Sequence, residues 1–336
     1  MDWFERLTGF IETDYAPTRA KLKVRSGKLI SLVNGMSYST GLLELASLSD
    51  LRNQVKSINA ESGRLRVSLV SGDVREMHWH RAFAGALFQV ASQSNLLEMI
   101  GPNKTPEDGV TIYQIDGTQG PACAMAAGAA TIYRNYFAKV GARSGQTKDR
   151  QLNALADLGT ALRERLAPEG GELWSMVNGY ALVHRSGLDA ITRVLECSSP
   201  DETDELRGRL RIGLHWDVEV TDAGRPFALV SQAFCSALPV AYSQHGPRHW
   251  ERFACLVLEA AYEATLWAAA LNARRSGSKT VLLTSLGGGA FGNNESWIEA
   301  GLVRALKLAS GLDLDVRLVS YGDPSPAFLR IERMFA

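Results

Sequence analysis

Net charge, paired cysteines and long unbroken apolar runs are all scarce in this chain of 336 residues. The 36 Lys and Arg balance 36 Asp and Glu, so no overall field draws the chain to nucleic acid or to an anionic membrane, and neither is expected as a partner. Cys123, Cys197, Cys235 and Cys255 stand far apart, without the CxxC spacing of zinc or redox sites, and read as reduced core residues. The opening MDWFERLTGF carries early acids, and no uninterrupted apolar span of about 18 residues follows anywhere. That argues against a secretory signal and for a cytoplasmic location. With 46% hydrophobic residues the chain can bury the core of one large or two ordinary domains.

The remaining pattern alternates strands and helices. Residues 21–32 (KLKVRSGKLISL) alternate across a Ser-Gly turn as a hairpin does, and Ser47 or Ser49 could cap a short helix. Residues 64–74 (RLRVSLVSGDV) alternate at period two, whereas ALFQVA at 86–91 is almost wholly apolar and suits a strand buried on both faces. A long small-residue helix is expected from Pro121, through ACAMAAGAATIYRNYF. Residues from about 140 to 210 turn charged and helix-prone and read as a helical insertion. Strands near 210–220 and 227–238, a buried helix at 250–273, the strand TVLLTSL, the helix ESWIEAGLVRALKLAS and a last strand DVRLVSY follow. Such alternation points to a parallel or mixed sheet covered on both faces.

Chemistry concentrates at a few places. LGGGAFGNN lies between a strand and a helix, and Gly287, Gly289 and Gly292 satisfy GxGxxG. Only 44 residues remain after Gly292, too few for the strands that follow a dinucleotide fingerprint. The glycines could still let backbone N–H groups face a phosphate, with a helix start behind them, or simply make a tight turn. Ser71 to Val74 (SGDV) closes a strand and could be an ordinary turn. Polar residues Gln89, Ser92, Gln93, Ser94 and Asn95 interrupt an apolar strand at its C-terminal end, where open α/β sheets bind ligands. In YQIDGTQGP, Asp116 precedes a helix start at Gly120 and Pro121, as a turn residue or as a carboxylate beside a bound sugar. His78 and His80 would share a side of a strand through MHWH, but no third ligand is marked and no metal is expected. Cys235 has no marked histidine partner and reads as a buried thiol.

Taken in order, VSLVSGDV, ALFQVASQSN, LGGGAFGN and the closing helix and strand resemble a macrodomain, the ADP-ribose-binding α/β/α fold, and stand nearer its poly(ADP-ribose) glycohydrolase-like branch. The resemblance covers more than half of the chain. It implies a three-layer α/β/α macrodomain-like mixed sheet over residues 61–336, with an N-terminal extension over 1–60 and the insertion at about 140–210. It further implies that Asp73, with the Val74 amide beside it, takes an adenine amino group. Gln89, Ser92 and Asn95 would bond the distal ribose, while Gly287, Gly288, Gly289, Ala290, Phe291 and the helix start at Gly120 would hold the diphosphate. No cofactor is called for. The Gln-Glu-Glu triplet by which that branch acts is absent, replaced by PACA. The expected function is therefore binding of ADP-ribose or a related nucleotide, with either hydrolysis of an ADP-ribosyl linkage or a non-catalytic reader role. For hydrolysis Asp116 is the expected group positioning water, with Glu98 the other unassigned carboxylate nearby.

Overall fold

Seven strands form the central sheet in the computed structural model, which describes residues 1–58, 63–166 and 171–336. They are β1 (Leu42–Ser47), β2 (Arg66–Ser71), β3 (Leu87–Ala91), β4 (Arg211–Glu219), β5 (Leu229–Cys235), β6 (Thr280–Leu283) and β7 (Asp315–Ser320). Their spatial order is β1-β4-β5-β3-β6-β7-β2. The pairs β5/β3, β3/β6, β6/β7 and β7/β2 are parallel, and β4 runs antiparallel to both its neighbours. Five adjacent strands thus end on one side of the sheet. Leu87 to Val90 of β3 are all buried, including Gln89, as a central strand covered on both faces requires.

The principal helices are α1 (Leu48–Ser57), α2 (Val74–Trp79), α3 (Gln119–Ala126), α4 (Gly128–Tyr136), α5 (Arg185–Cys197), α6 (Pro200–Arg209), α7 (Pro247–Ser276), α8 (Glu295–Leu308) and α9 (Pro326–Met334). One layer holds α7, packed on β3 to β6 and flanked by α1, α5, α6 and α8, while α2, α3 and α4 cover the other face. The chain is therefore a three-layer α/β/α fold with a mixed sheet. By length and composition α7 could cross a membrane, yet 78% of its apolar window is buried inside the protein. Its alanines let it lie close to the sheet, and Gly301 of α8 crosses it so tightly that a Cβ would sit 3.3 Å from the Glu259 amide nitrogen.

Several expectations change in detail. The long helix expected from Pro121 is two helices broken at Ala127, whose ψ is 54°; there the Thr131 hydroxyl donates to the Ala124 carbonyl at 2.6 Å. Leu7 and Trp3 press against Gly128 at the start of the second helix, where a Cβ would meet them at 2.7 and 2.9 Å. MHWH lies in and just after α2, capped by Asp73, and is not a strand. Within the expected N-terminal extension, β1 joins the main sheet as an edge strand, and Trp3, Phe4, Leu7 and Phe10 pack against α3 and α4. The boundary drawn between residues 60 and 61 lies outside the described residues.

The segment expected as a helical insertion holds a hairpin as well, Trp174–Val177 paired with Tyr180–Val183. Its two-residue turn, Asn178-Gly179, has both φ values positive at 46° and 83°, which is the left-handed geometry that tight hairpins need. Residues 167–170 of that segment lie outside the described residues.

Candidate functional site

The C-terminal ends of β5, β3 and β6 open onto a cleft of about 730 Å³, part of it open to solvent. Ala237 lines it from beyond β5, Ala91 and Ser92 from the end of β3, and Thr284 to Gly287 with Gly289 to Phe291 from the loop after β6. The opposite wall is Asp116, Thr118, Gln119, Gly120 and Pro121 at the start of α3. Glycine loop and helix start therefore face one another across a single cavity.

The glycine loop is held from below. The Tyr262 hydroxyl donates to the Thr284 carbonyl at 2.8 Å and accepts from the Leu286 amide at 2.8 Å. Asn293 donates from its side chain to the Leu238 carbonyl at 2.8 Å, and its amide donates to the Gly287 carbonyl at 2.9 Å. Phe291 accepts from the Ala241 amide at 3.0 Å. These anchors use the Gly288 and Gly292 amides internally, on the carbonyls of Ser285 and Gly289. The amides of Gly289, Ala290 and Phe291 have no hydrogen-bond partner among the described residues.

The glycines divide by cause. Gly287 has φ +72°, and a Cβ there would lie 2.3 Å from that of Ala237; Gly292 has φ +67° and abuts Ala241. At Gly288 a Cβ would meet the Ser285 hydroxyl at 2.7 Å. Each of these three is required by the protein's own turn and packing. Gly289 is not, because it has no positive φ and no atom lies within 4 Å of its would-be Cβ. Gly289 lines the cleft, and no contact within the protein requires a glycine there.

At the facing wall, α3 begins without a side-chain cap from Thr118, and the Gln119 and Gly120 amides have no partner among the described residues. Gly120 packs on the end of β3 so closely that a Cβ would fall 2.0 Å from the Ala91 carbonyl oxygen. The Gln119 side chain extends the strand edge, accepting from the Ala91 amide at 2.9 Å and donating to the Gln89 carbonyl at 2.8 Å. Asp116 accepts from the Thr118 amide through Oδ1 at 2.8 Å and leaves Oδ2 free among the described residues.

The other sequence-predicted residues are distributed unevenly. Ser92 lines the cleft, its hydroxyl donating to the Gln93 carbonyl at 3.0 Å. Gln89 does not, because its side chain points at α7, donating to the Thr265 hydroxyl at 3.0 Å and accepting from the Thr284 amide at 3.3 Å. Asn95 is fully buried away from the cleft, where it bonds Gln151 and the Leu97 amide. Gly288 is turned inward as described. Asp73 and Val74 lie outside the cleft lining at the end of β2, where Asp73 Oδ1 accepts from the Arg75 amide at 2.7 Å and Val74 is buried. His78 is stacked on Phe88 at 3.8 Å, with Nδ1 on the Val74 carbonyl and Nε2 on Gln232. Burial holds its pKa down at about 4. The Cys235 thiol is pushed up to about 11 by burial, which removes it as a nucleophile at neutral pH.

Of the aromatic wall, sequence reasoning named Phe291 and missed Tyr180 and Tyr242. Tyr180, from the hairpin in the 140–210 segment, meets Phe291 at 5.3 Å and Tyr242 at 5.2 Å between ring centroids, and all three rings line the cleft. The Asn178-Gly179 turn was the only signal, and it carried no spatial information. Arg134 was also missed. It is a fully buried arginine on α4, set over the Phe234 ring at 3.9 Å and beside Glu98 on the cleft floor. No lysine or arginine among the described residues lines the cleft itself. Among the described residues no group of three or more His, Cys, Asp or Glu is placed to hold a metal.

Fold and cavity together define an open α/β/α protein with a cleft beyond the carboxyl ends of its parallel strands. No family model matches the chain, and no curated protein does. Solved structures similar to it include the poly(ADP-ribose) glycohydrolase of Thermomonospora curvata, 12% identical over 92% of this chain and 94% of that one, with a TM-score of 0.46. The same enzyme bound to the inhibitor ADP-HPD is 13% identical over 91% and 93%, with a TM-score of 0.43. The glycohydrolase of Deinococcus radiodurans in complex with ADP-ribose is 11% identical over 87% and 93%, with a TM-score of 0.48. At such identities and scores, what this cleft does rests on its own residues.

Proposed function

We propose that the cleft binds ADP-ribose or a closely related nucleotide diphosphate and hydrolyses an ADP-ribosyl linkage. The observation that carries the reading is the pair of facing backbone segments, 289–291 and 119–120, with unpartnered amides on both. Five such donors in a cavity without lysine or arginine suit a phosphate held by main chain, supported by the positive end of α3. The Tyr180, Tyr242 and Phe291 rings would flank the distal ribose, with Ser92 as its hydrogen-bonding neighbour.

The nucleoside end would run along the strand termini. Ser320 of β7 pairs with Ser71 of β2, so Tyr321 and Asp73 stand side by side beyond those ends, one and two strands away from β6. Tyr321 is 84% exposed, an open ring face for a base, and Asp73 keeps Oδ2 for an exocyclic amine, with the Val74 amide beside it. Two strand spacings are about 10 Å, a span that the adenosine ribose with its 5′-phosphate would cover. In this reading Asp116, with one oxygen bonded by Thr118 and one free among the described residues, would orient a water or a ribose hydroxyl.

Titration calorimetry with ADP-ribose tests the reading. Several charge-assisted amide contacts should give a micromolar Kd, about −8 kcal/mol. Absence of heat at millimolar ligand would end it. Binding without release of ADP-ribose from modified protein would leave a non-catalytic reader.

A further inference from the structure

We propose that Glu98 is the residue that moves the proton in this cleft, acting as general acid on the departing group and as general base on water. This deepens the hydrolase reading and rests on it. Glu98 lines the cleft floor at the place where Gly120 lacks a side chain, with its Cγ 3.1 Å from the position of a Cβ there. A larger residue at 120 would fill that space. Among the described residues Glu98 and Asp116 are the two carboxylates lining the cavity, and of these Glu98 is nearly removed from water.

A purely structural ion pair accounts poorly for its surroundings. Arg134 reaches Glu98 only through Nη2, at 3.4 and 3.5 Å, longer than a charge-assisted pair normally holds, and its buried Nη1 has no partner among the described residues. The Tyr113 hydroxyl accepts from the Glu98 amide at 3.1 Å and itself favours the charged carboxylate, and Cys123 of α3 is a further titratable group close by. A carboxyl group so loosely paired with its arginine and so deeply placed stays partly protonated near neutrality. Burial pushes its pKa up to about 7, against the pull of Arg134.

In the reaction, the Glu98 carboxylic acid gives its proton to the leaving oxygen as the bond from that oxygen to the ribose anomeric carbon breaks. Water then adds its oxygen to the anomeric carbon and returns one proton to the Glu98 carboxylate. The products are ADP-ribose and the free hydroxyl of the former acceptor, with water the sole co-reactant.

The experiment measures ADP-ribose release from ADP-ribosylated protein across pH 5 to 9, with ADP-ribose affinity followed in parallel by calorimetry. Wild type should lose activity above about pH 7 as the acid deprotonates, and Glu98→Gln should lose on the order of 10² to 10⁴ in rate while keeping its affinity within a few-fold. Tyr113→Phe, which removes a hydroxyl that favours the carboxylate, should move the alkaline limb to higher pH without a comparable loss of rate. The proposal is overturned by a Glu98→Gln protein as active as wild type, by an alkaline limb that Tyr113→Phe leaves in place, or by wild type that binds ADP-ribose and releases none at any pH. Failure of wild type to bind ADP-ribose overturns the functional reading and this proposal with it.

Discussion

Substituting Gly289 separates a ligand-driven glycine from its structural neighbours. Valine at 289 meets no protein atom within 4 Å of its Cβ and requires no left-handed backbone, so folding stability should stay within about 0.5 kcal/mol of wild type. The added side chain stands on the cleft-lining loop that carries the free amides of Gly289, Ala290 and Phe291. A phosphate hydrogen bond to an amide contributes roughly 1.5 to 3 kcal/mol, so displacing the ligand from two of them should cost about 3 kcal/mol, close to a hundredfold in Kd. Gly287→Ala behaves oppositely. Its φ of +72° and the Ala237 contact at 2.3 Å should together cost about 2 to 5 kcal/mol of stability. Urea unfolding and calorimetry with ADP-ribose on both variants decide the matter. A Gly289→Val protein that binds as wild type does, or one that unfolds as readily as Gly287→Ala, would refute the assignment of this glycine to the ligand.

Other perturbations probe the rest of the cleft. Tyr180→Phe removes a buried hydroxyl that donates to the Met99 carbonyl at 3.0 Å, and should lower stability by about 1 to 2 kcal/mol in thermal unfolding while leaving the aromatic wall and ADP-ribose affinity nearly intact. Tyr180→Ala should weaken affinity at least tenfold as well, and unchanged affinity would remove the hairpin from the site. His78 and His215 are kept neutral by burial, with pKa values lowered to about 4 and about 3. Their contribution is complete above the unfolded value of about 6.5 and is lost as pH falls toward those values, so urea midpoints should decline below pH 6.5 and His78→Gln should flatten that decline. Glu98 has the opposite sign, stabilising below its unfolded pKa of about 4.5 and losing that contribution as pH rises through about 7, and Glu98→Gln should remove this second slope.

The sequence made the layered α/β arrangement readable because its central strands and closing helix carry unambiguous periods. Leu87 to Val90 reads as buried on both faces and is, and the turn from β6 into α8 falls where the glycines mark it. The cleft lining was readable in part: Gly120, Gly289, Ser92, Asp116 and Phe291, all named from the sequence, line it. Gly120 and Gly289 could be found because the absence of a side chain is visible in the sequence. Gln89 and Asn95 looked like ligand-binding polar groups at a strand end, but alternation turns Gln89 toward Thr265 on α7, and the chain folds back so that Asn95 bonds Gln151. Which partner satisfies a buried amide depends on residues far away in sequence. Tyr180 and Arg134 were invisible for the same reason, since each reaches the cleft region from an element whose docking no local pattern specifies.

The most direct test of the central claim is the amide spectrum of isotopically labelled protein during titration with ADP-ribose. Saturable shifts should concentrate on Gln119, Gly120, Gly289, Ala290 and Phe291, with Gly288 and Gly292, already bonded internally, moving less. Saturation that leaves those five amides in place, or no saturation at millimolar ligand, would contradict a diphosphate cradle between the glycine loop and α3.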